Sequence, residues 1–145
     1  MINKDLRWES AHAKLSNYYF YKGDYDKCIA EMEAVIAERP YYDIPYKDLI
    51  TKMVDSKKLD QALTFLIKLH KIKPDYFSYK WLGQVYLKMN KSEEALKFLA
   101  EAVKFKEADY QTWYNLSGAY YLEGDTKSAL SAIQKSLSLN SRNQA

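Results

Sequence analysis

The chain is poor in the residues that make tight turns and covalent cross-links. Four glycines and three prolines in 145 residues are too few for a sandwich or barrel of short strands. A single cysteine, Cys28, excludes an internal disulfide and fits a reducing compartment. Two histidines, His12 and His70, are too few for a histidine-built zinc site, and no glycine-rich phosphate loop or nucleophile elbow occurs. Charge of one sign is also lacking. Lys and Arg number 22 against 19 Asp and Glu, interspersed, so no basic arm for nucleic acid is present despite a pI near 8.7. No apolar run approaches a membrane span, and Met1 to Arg7 do not have the apolar core of a signal peptide. These absences lead us to expect no membrane insertion, no cofactor, no metal site, no catalytic residues and a cytoplasmic location.

What is abundant is periodic. Apolar residues make up 48% of the chain and recur with a long internal period. Pro40 and Pro74 lie 34 positions apart, as do Cys28 and Ala62, Leu15 and Leu49, and Tyr19 and Met53. Leu49 to Leu82 and Ala62 to Ala95 are spaced by 33, and Leu82 to Leu116, Tyr86 to Tyr120 and Ala95 to Ala129 by 34 again. One register therefore runs along the chain with a single deletion. Each period has two bursts of apolar residues at helical spacing, split by a polar turn, which predicts a helical hairpin. In the third unit Tyr79, Leu82, Gly83 and Tyr86 fall on one face of a first helix, and Ala95, Leu99 and Ala102 on one face of a second.

This pattern resembles the tetratricopeptide repeat, with its aromatic-x2-Leu-small-x2-Tyr signature followed by alanine, a large apolar residue and proline. It reads His12-x2-Leu15-Ser16-x2-Tyr19, Tyr46-x2-Leu49-Ile50-x2-Met53, Tyr79-x2-Leu82-Gly83-x2-Tyr86 and Trp113-x2-Leu116-Ser117-x2-Tyr120. The units run at 9–42, 43–75, 76–109 and 110–143 within one domain of 1–145. The resemblance implies an all-α fold, a right-handed superhelix of four helix-turn-helix repeats, whose first helices line a concave surface.

Small residues set how closely each helix pair nests, so Ile50 in place of Gly, Ser or Ala predicts a splayed or repacked second hairpin. Gly23-Asp24 and Gly124-Asp125 read as helix stop followed by helix start. The second turn, Asp55 to Lys58, has no glycine and reads as the exception. Asp43, Asp75 and Asp109 are the expected caps of other first helices, with Ser92 or Asn90 in the third turn and Asn3 at an early start. The final helix is expected at about 125–139 and still carries Leu130, Ile133, Leu137 and Leu139, so either its serines 128, 131, 136 and 138 wet that face, or the chain is part of a longer protein, or two chains pair there.

The resemblance also implies a peptide-binding groove. Its positions fall here on Asn17, Phe20 and Tyr21, then Lys47 and Thr51, then Phe77, Lys80, Trp81, Gln84 and Lys88, and finally Tyr114, Asn115 and Tyr121. Trp81 reads either as an exposed anchor among polar rim groups or as filler between neighbouring first helices. The tyrosines read as repeat core rather than as platforms for bases. Some family members clamp the EEVD tail of heat-shock chaperones with a cationic cluster. The equivalent positions hold Ala13, Asn17, Asp48, Phe77 and Trp81 in one register, and Lys47, Thr51, Trp81, Gln111 and Asn115 in the other, so that partner is not expected. The expected partner is another protein or peptide, with self-association through an uncapped C-terminal repeat, or service as a segment of a larger protein, as the alternative.

Overall fold

A computed structural model describes residues 2–41 and 43–144, with side chains described for 11–41 and 43–141. Eight helices make up these residues: α1 (Ile2–Lys22), α2 (Tyr25–Glu38), α3 (Ile44–Asp55), α4 (Leu59–Ile72), α5 (Tyr76–Lys88), α6 (Ser92–Ala102), α7 (Tyr110–Leu122) and α8 (Thr126–Gln144). They pair in sequence as antiparallel hairpins. The chain divides into two compact units, Met1–Lys73 and Pro74–Ala145, each holding two hairpins.

The turn inside every hairpin is the same device. One residue takes a positive φ at a fixed place in the register: Gly23 (80°), Lys57 (60°), Asn90 (61°) and Gly124 (84°). The amide of the next residue donates five positions back, Asp24 to Tyr19, Lys58 to Met53, Lys91 to Tyr86 and Asp125 to Tyr120, at 2.8 to 3.0 Å. The positive-φ residue itself donates three positions back, so all four helix ends are Schellman motifs. The second turn is thus not the exception its composition suggests; a lysine is held where glycine would be unstrained. A left-handed non-glycine residue costs about 1–2 kcal/mol, partly offset by the entropy a glycine loses on folding. Lys57→Gly is therefore expected to stabilise the chain by about 0.5–1 kcal/mol, seen as a raised urea midpoint with unchanged slope.

Capping follows the aspartates in part. Asp24 accepts from the Lys27 amide (3.2 Å), and Asp125 from that of Ser128 (3.1 Å). Asp75 forms a reciprocal capping box with Ser78. Asp43 does not cap: its backbone is helical and its carboxylate pairs with Lys47 at 2.6 Å, while Pro45 opens α3. Neither Asn90 nor Ser92 caps α6, because Asn90 occupies the positive-φ site, Lys91 stands at the cap, and the Ser92 hydroxyl donates to Glu123. The side chain of Asn3 lies outside the described residues.

The register positions of small residues are where hairpins close. In unit 1 the Ser16 hydroxyl donates to the Cys28 carbonyl (2.9 Å) and lies 3.3 Å from its sulfur. In unit 2, Gly83 abuts Leu99 so closely that a Cβ there would sit 2.5 Å from Leu99 Cγ. Ile50 is wholly buried, and α3 and α4 meet through fewer residues than the helices of any other hairpin, as its bulk requires. Met32, Tyr46, Leu49, Met53 and Phe65 fill the core of unit 1, and Leu82, Ala95, Leu99, Leu116 and Ala119 that of unit 2. Leu116 is buried against the α5–α6 hairpin, whereas its counterpart Leu15, with no described hairpin ahead of it, is 42% exposed.

The last helix runs to Gln144, beyond the expected 139. Leu130 and Leu137 are 57% and 60% exposed on it. Ser136 does not wet that face. It is buried and donates its hydroxyl to the Tyr110 carbonyl at 2.7 Å.

Candidate binding surface on the first helices

In unit 1 the residues expected to line the groove gather around a cation that the repeat pattern did not flag. Lys52 Nζ donates to Asn17 Oδ1 at 2.7 Å and lies over the rings of Tyr21 (5.0 Å) and Phe20 (5.4 Å). Its register equivalents are the exposed Tyr18 and the buried Val85 and Ala119, and the position is not part of the repeat signature. Tyr21 is 75% exposed and Asn17 is exposed, but Phe20 is buried, sealed by Lys52, Tyr21 and Tyr25, and is not available as groove lining. Thr51 is exposed with its hydroxyl turned to the Lys47 carbonyl, and Lys47 is held by Asp43.

In unit 2 the surface is more apolar. Trp81 is half-buried, its ring tilted against Phe77 one turn earlier at 6.1 Å, so it shares the features of both anchor and filler. Gln84 is half-buried and Lys88 exposed. Lys80 does not belong to a free rim, because its ammonium reaches Asp109 at 3.3 Å and lies over Tyr76. That contact is part of a closed network at the heads of α5 and α7. The Asp109 amide donates to the Tyr76 hydroxyl (3.2 Å), and Tyr76 meets the Thr112 hydroxyl (2.7 Å), which donates to Asp109 Oδ1 (2.8 Å). Burial alone would raise the Asp109 carboxyl, but the Thr112 amide and hydroxyl and the Lys80 charge together hold it below its ordinary value. The network is structural and spends the polar groups of Lys80 and Thr112.

Tyr114, Asn115 and Tyr121 do come together. They line a 430 Å³ recess on α7 and α8, backed by Gly118, Ala129 and Leu130. Tyr114 and Tyr121 are 56% and 68% exposed. Such a recess suits an apolar side chain flanked by two phenols and an amide, which can supply hydrogen bonds at the rim.

His12 and Cys28 are both engaged in packing contacts within unit 1. His12 is hydrogen-bonded to Glu31. Cys28 is fully buried, and desolvation pushes its thiol up despite the lowering influence of Ser16 and Lys52, so it is a packing residue. Among the described residues no group of three or more His, Cys, Asp or Glu could hold a metal ion, and no helix is long and apolar enough to cross a membrane.

The family profile of the tetratricopeptide repeat matches residues 9–42, 78–109 and 110–143. The chain belongs to that family. The stretch left unmatched holds α3 and α4, the hairpin with Ile50, Met53 and Lys57 at the signature positions. Solved structures of MamA share the fold. One crystal structure of MamA protein superposes with a TM-score of 0.70 at 19% identity, covering 92% of this chain and 73% of that one. A second crystal structure of MamA gives 0.68 at 17% identity, covering 94% and 80%. Residues 41 to the end of MamA from Desulfovibrio magneticus RS-1 give 0.67 at 18%, covering 94% and 78%. No curated protein sequence matches the chain. The family and the hairpin architecture give the chain its general role, a scaffold for protein–protein interaction.

Proposed function

We propose that the first helices of each unit carry docking surfaces, and that the chain binds a peptide or helix of another protein there without catalysing a reaction. The carrying observation is the exposure of large aromatic side chains, Tyr21, Tyr114 and Tyr121, at repeat positions that the tetratricopeptide resemblance assigns to a groove. Trp81, tilted against Phe77, supplies one apolar contact, and the Tyr114–Tyr121 recess takes a second side chain. Trp81→Ala is expected to leave helical circular dichroism unchanged and to weaken a partner identified by affinity capture and mass spectrometry by tenfold or more, the scale of a loss of about 2 kcal/mol at an interface hot spot. Lys97→Ala, at an exposed position on α6, is the control. Equal capture by the Trp81 variant and wild type would remove Trp81 from the site.

The exposure of Leu130 and Leu137 favours a second reading, self-association through the α8 face, as a free protein or as a segment of a larger one. Sedimentation equilibrium tests it: wild type should show concentration-dependent mass and Leu130→Lys/Leu137→Lys should not. A wild-type mass that stays monomeric at high concentration defeats this reading.

A further inference from the structure

A second recess in unit 2, away from the Tyr114–Tyr121 site, lies where the register breaks its own packing rule. In the α5–α6 hairpin Phe98 stacks on Tyr86 (5.6 Å between ring centres, 15° between planes) and tilts against Tyr79 (6.3 Å), closing the space between those two rings. The register carries Tyr79 to Trp113, Tyr86 to Tyr120 and Phe98 to Ala132. The same position holds Glu31, bonded to His12, in the first hairpin and the fully buried Phe65 in the second. Three hairpins thus place a large side chain here and the fourth places a methyl group. There the surface opens into an 870 Å³ recess floored by Trp113 and Tyr120, both only half-buried, between α6 and α8.

Its walls are charged with one sign. Lys104, Lys127 and Lys135 line it, and no carboxylate does. Lys104 is paired with Glu101 at 2.7 Å, and Asp125 lies near enough to Lys127 for that charge to help lower the Asp125 carboxyl. Lys127 and Lys135 are exposed and form no ion pair among the described residues. Two aromatic faces missing their third ring, beside the exposed ammonium groups of Lys127 and Lys135, define a complementary shape and charge.

We infer that this recess docks a short acidic peptide segment that inserts an aromatic side chain over Trp113 and Tyr120 while its carboxylates meet Lys127 and Lys135. The ring does for the α7–α8 hairpin what Phe98 does for α5–α6. A peptide fits better than nucleic acid because the cations are few and interrupted by Ser128 and Ser131, too short a stripe to follow a phosphate backbone.

The test uses fluorescein-labelled Glu-Glu-Phe-Glu-Glu, its Glu-Glu-Ala-Glu-Glu counterpart and an oligothymidylate of ten nucleotides, by anisotropy at low salt. The phenylalanine peptide is expected to bind at least tenfold more tightly than either of the others and to shift the Trp113 indole N–H resonance. Ala132→Phe, at a position buried in the core cluster at the base of the recess, should weaken binding at least tenfold with helical circular dichroism retained. So should Lys127→Glu/Lys135→Glu, whose two sites are exposed and leave the core untouched. The inference is overturned if the alanine peptide binds equally, if the oligonucleotide binds more tightly, if the Trp113 resonance stays in place, or if the charge-reversed protein binds as wild type. Trp81→Ala should leave this peptide's affinity unchanged, so failure here and failure of the first-helix surface are told apart.

Discussion

Gly83→Ala is expected to destabilise the chain by about 1–3 kcal/mol, although alanine is the better helix former by about 0.8–1.0 kcal/mol. The added Cβ would fall 2.5 Å from Leu99 Cγ and 2.6 Å from its Cδ2, and 3.3 Å from the Leu99 amide nitrogen. Leu99 is wholly buried in the cluster with Ala95, Leu116 and Ala119, where close packing leaves its side chain little room to shift. The helices must move apart instead, which loosens the contact of α6 with α7 as well. A urea titration followed by circular dichroism should show a lower midpoint with the slope preserved. A midpoint at or above wild type would mean that Leu99 repacks freely and that the close approach at Gly83 is not what holds this hairpin. Gly118→Ala is the internal comparison, since a Cβ there meets only Leu87 Cδ2 at an ordinary 3.8 Å.

Ile50→Ala is expected to cost about 2–5 kcal/mol, the opposite of what the repeat pattern suggests. By register Ile50 stands where the other hairpins carry Ser16, Gly83 and Ser117, so restoring a small residue reads as a repair. The structure says otherwise. α3 and α4 meet sparsely, and the Ile50 side chain has no exposed surface in a core that also buries Tyr46, Met53, Phe65 and Leu66. Removing three carbons leaves a cavity that the backbone can close only by sliding two helices together. Thermal denaturation should show the loss as a clear fall in midpoint. A rise on substitution would show that the hairpin can collapse to the geometry of its neighbours, and that Ile50 is a strain rather than a wedge.

The contrast between these two positions marks how far the sequence could be read. Helix number, the hairpin register and the small-residue contacts at Gly83 and Ser16 were all legible, because they follow from repetition and periodicity. What repetition hides is any residue that departs from its repeat-mates and is accommodated. Lys57 takes the positive φ of a glycine because the two turn hydrogen bonds outweigh its strain. Lys52, where the hairpins of unit 2 place the buried Val85 and Ala119, covers two rings and bonds Asn17. The candidate surface was legible to the same degree. Tyr21, Tyr114 and Tyr121 are exposed where the register puts them, whereas Phe20 is buried and Lys80 is committed to Asp109. Both departures depend on partners 29 or more positions away, Asp109 for Lys80 and Lys52 for Phe20, which no single-repeat pattern contains.

The recurring positive-φ turn also bears on how the chain reaches this state. Each hairpin closes over a turn of only two or three residues and most of its contacts are local, so little loop entropy is lost before packing begins. A topology of that kind belongs with the fast folders, on microsecond to millisecond scales, and gives no single hairpin a privileged claim to be the nucleus.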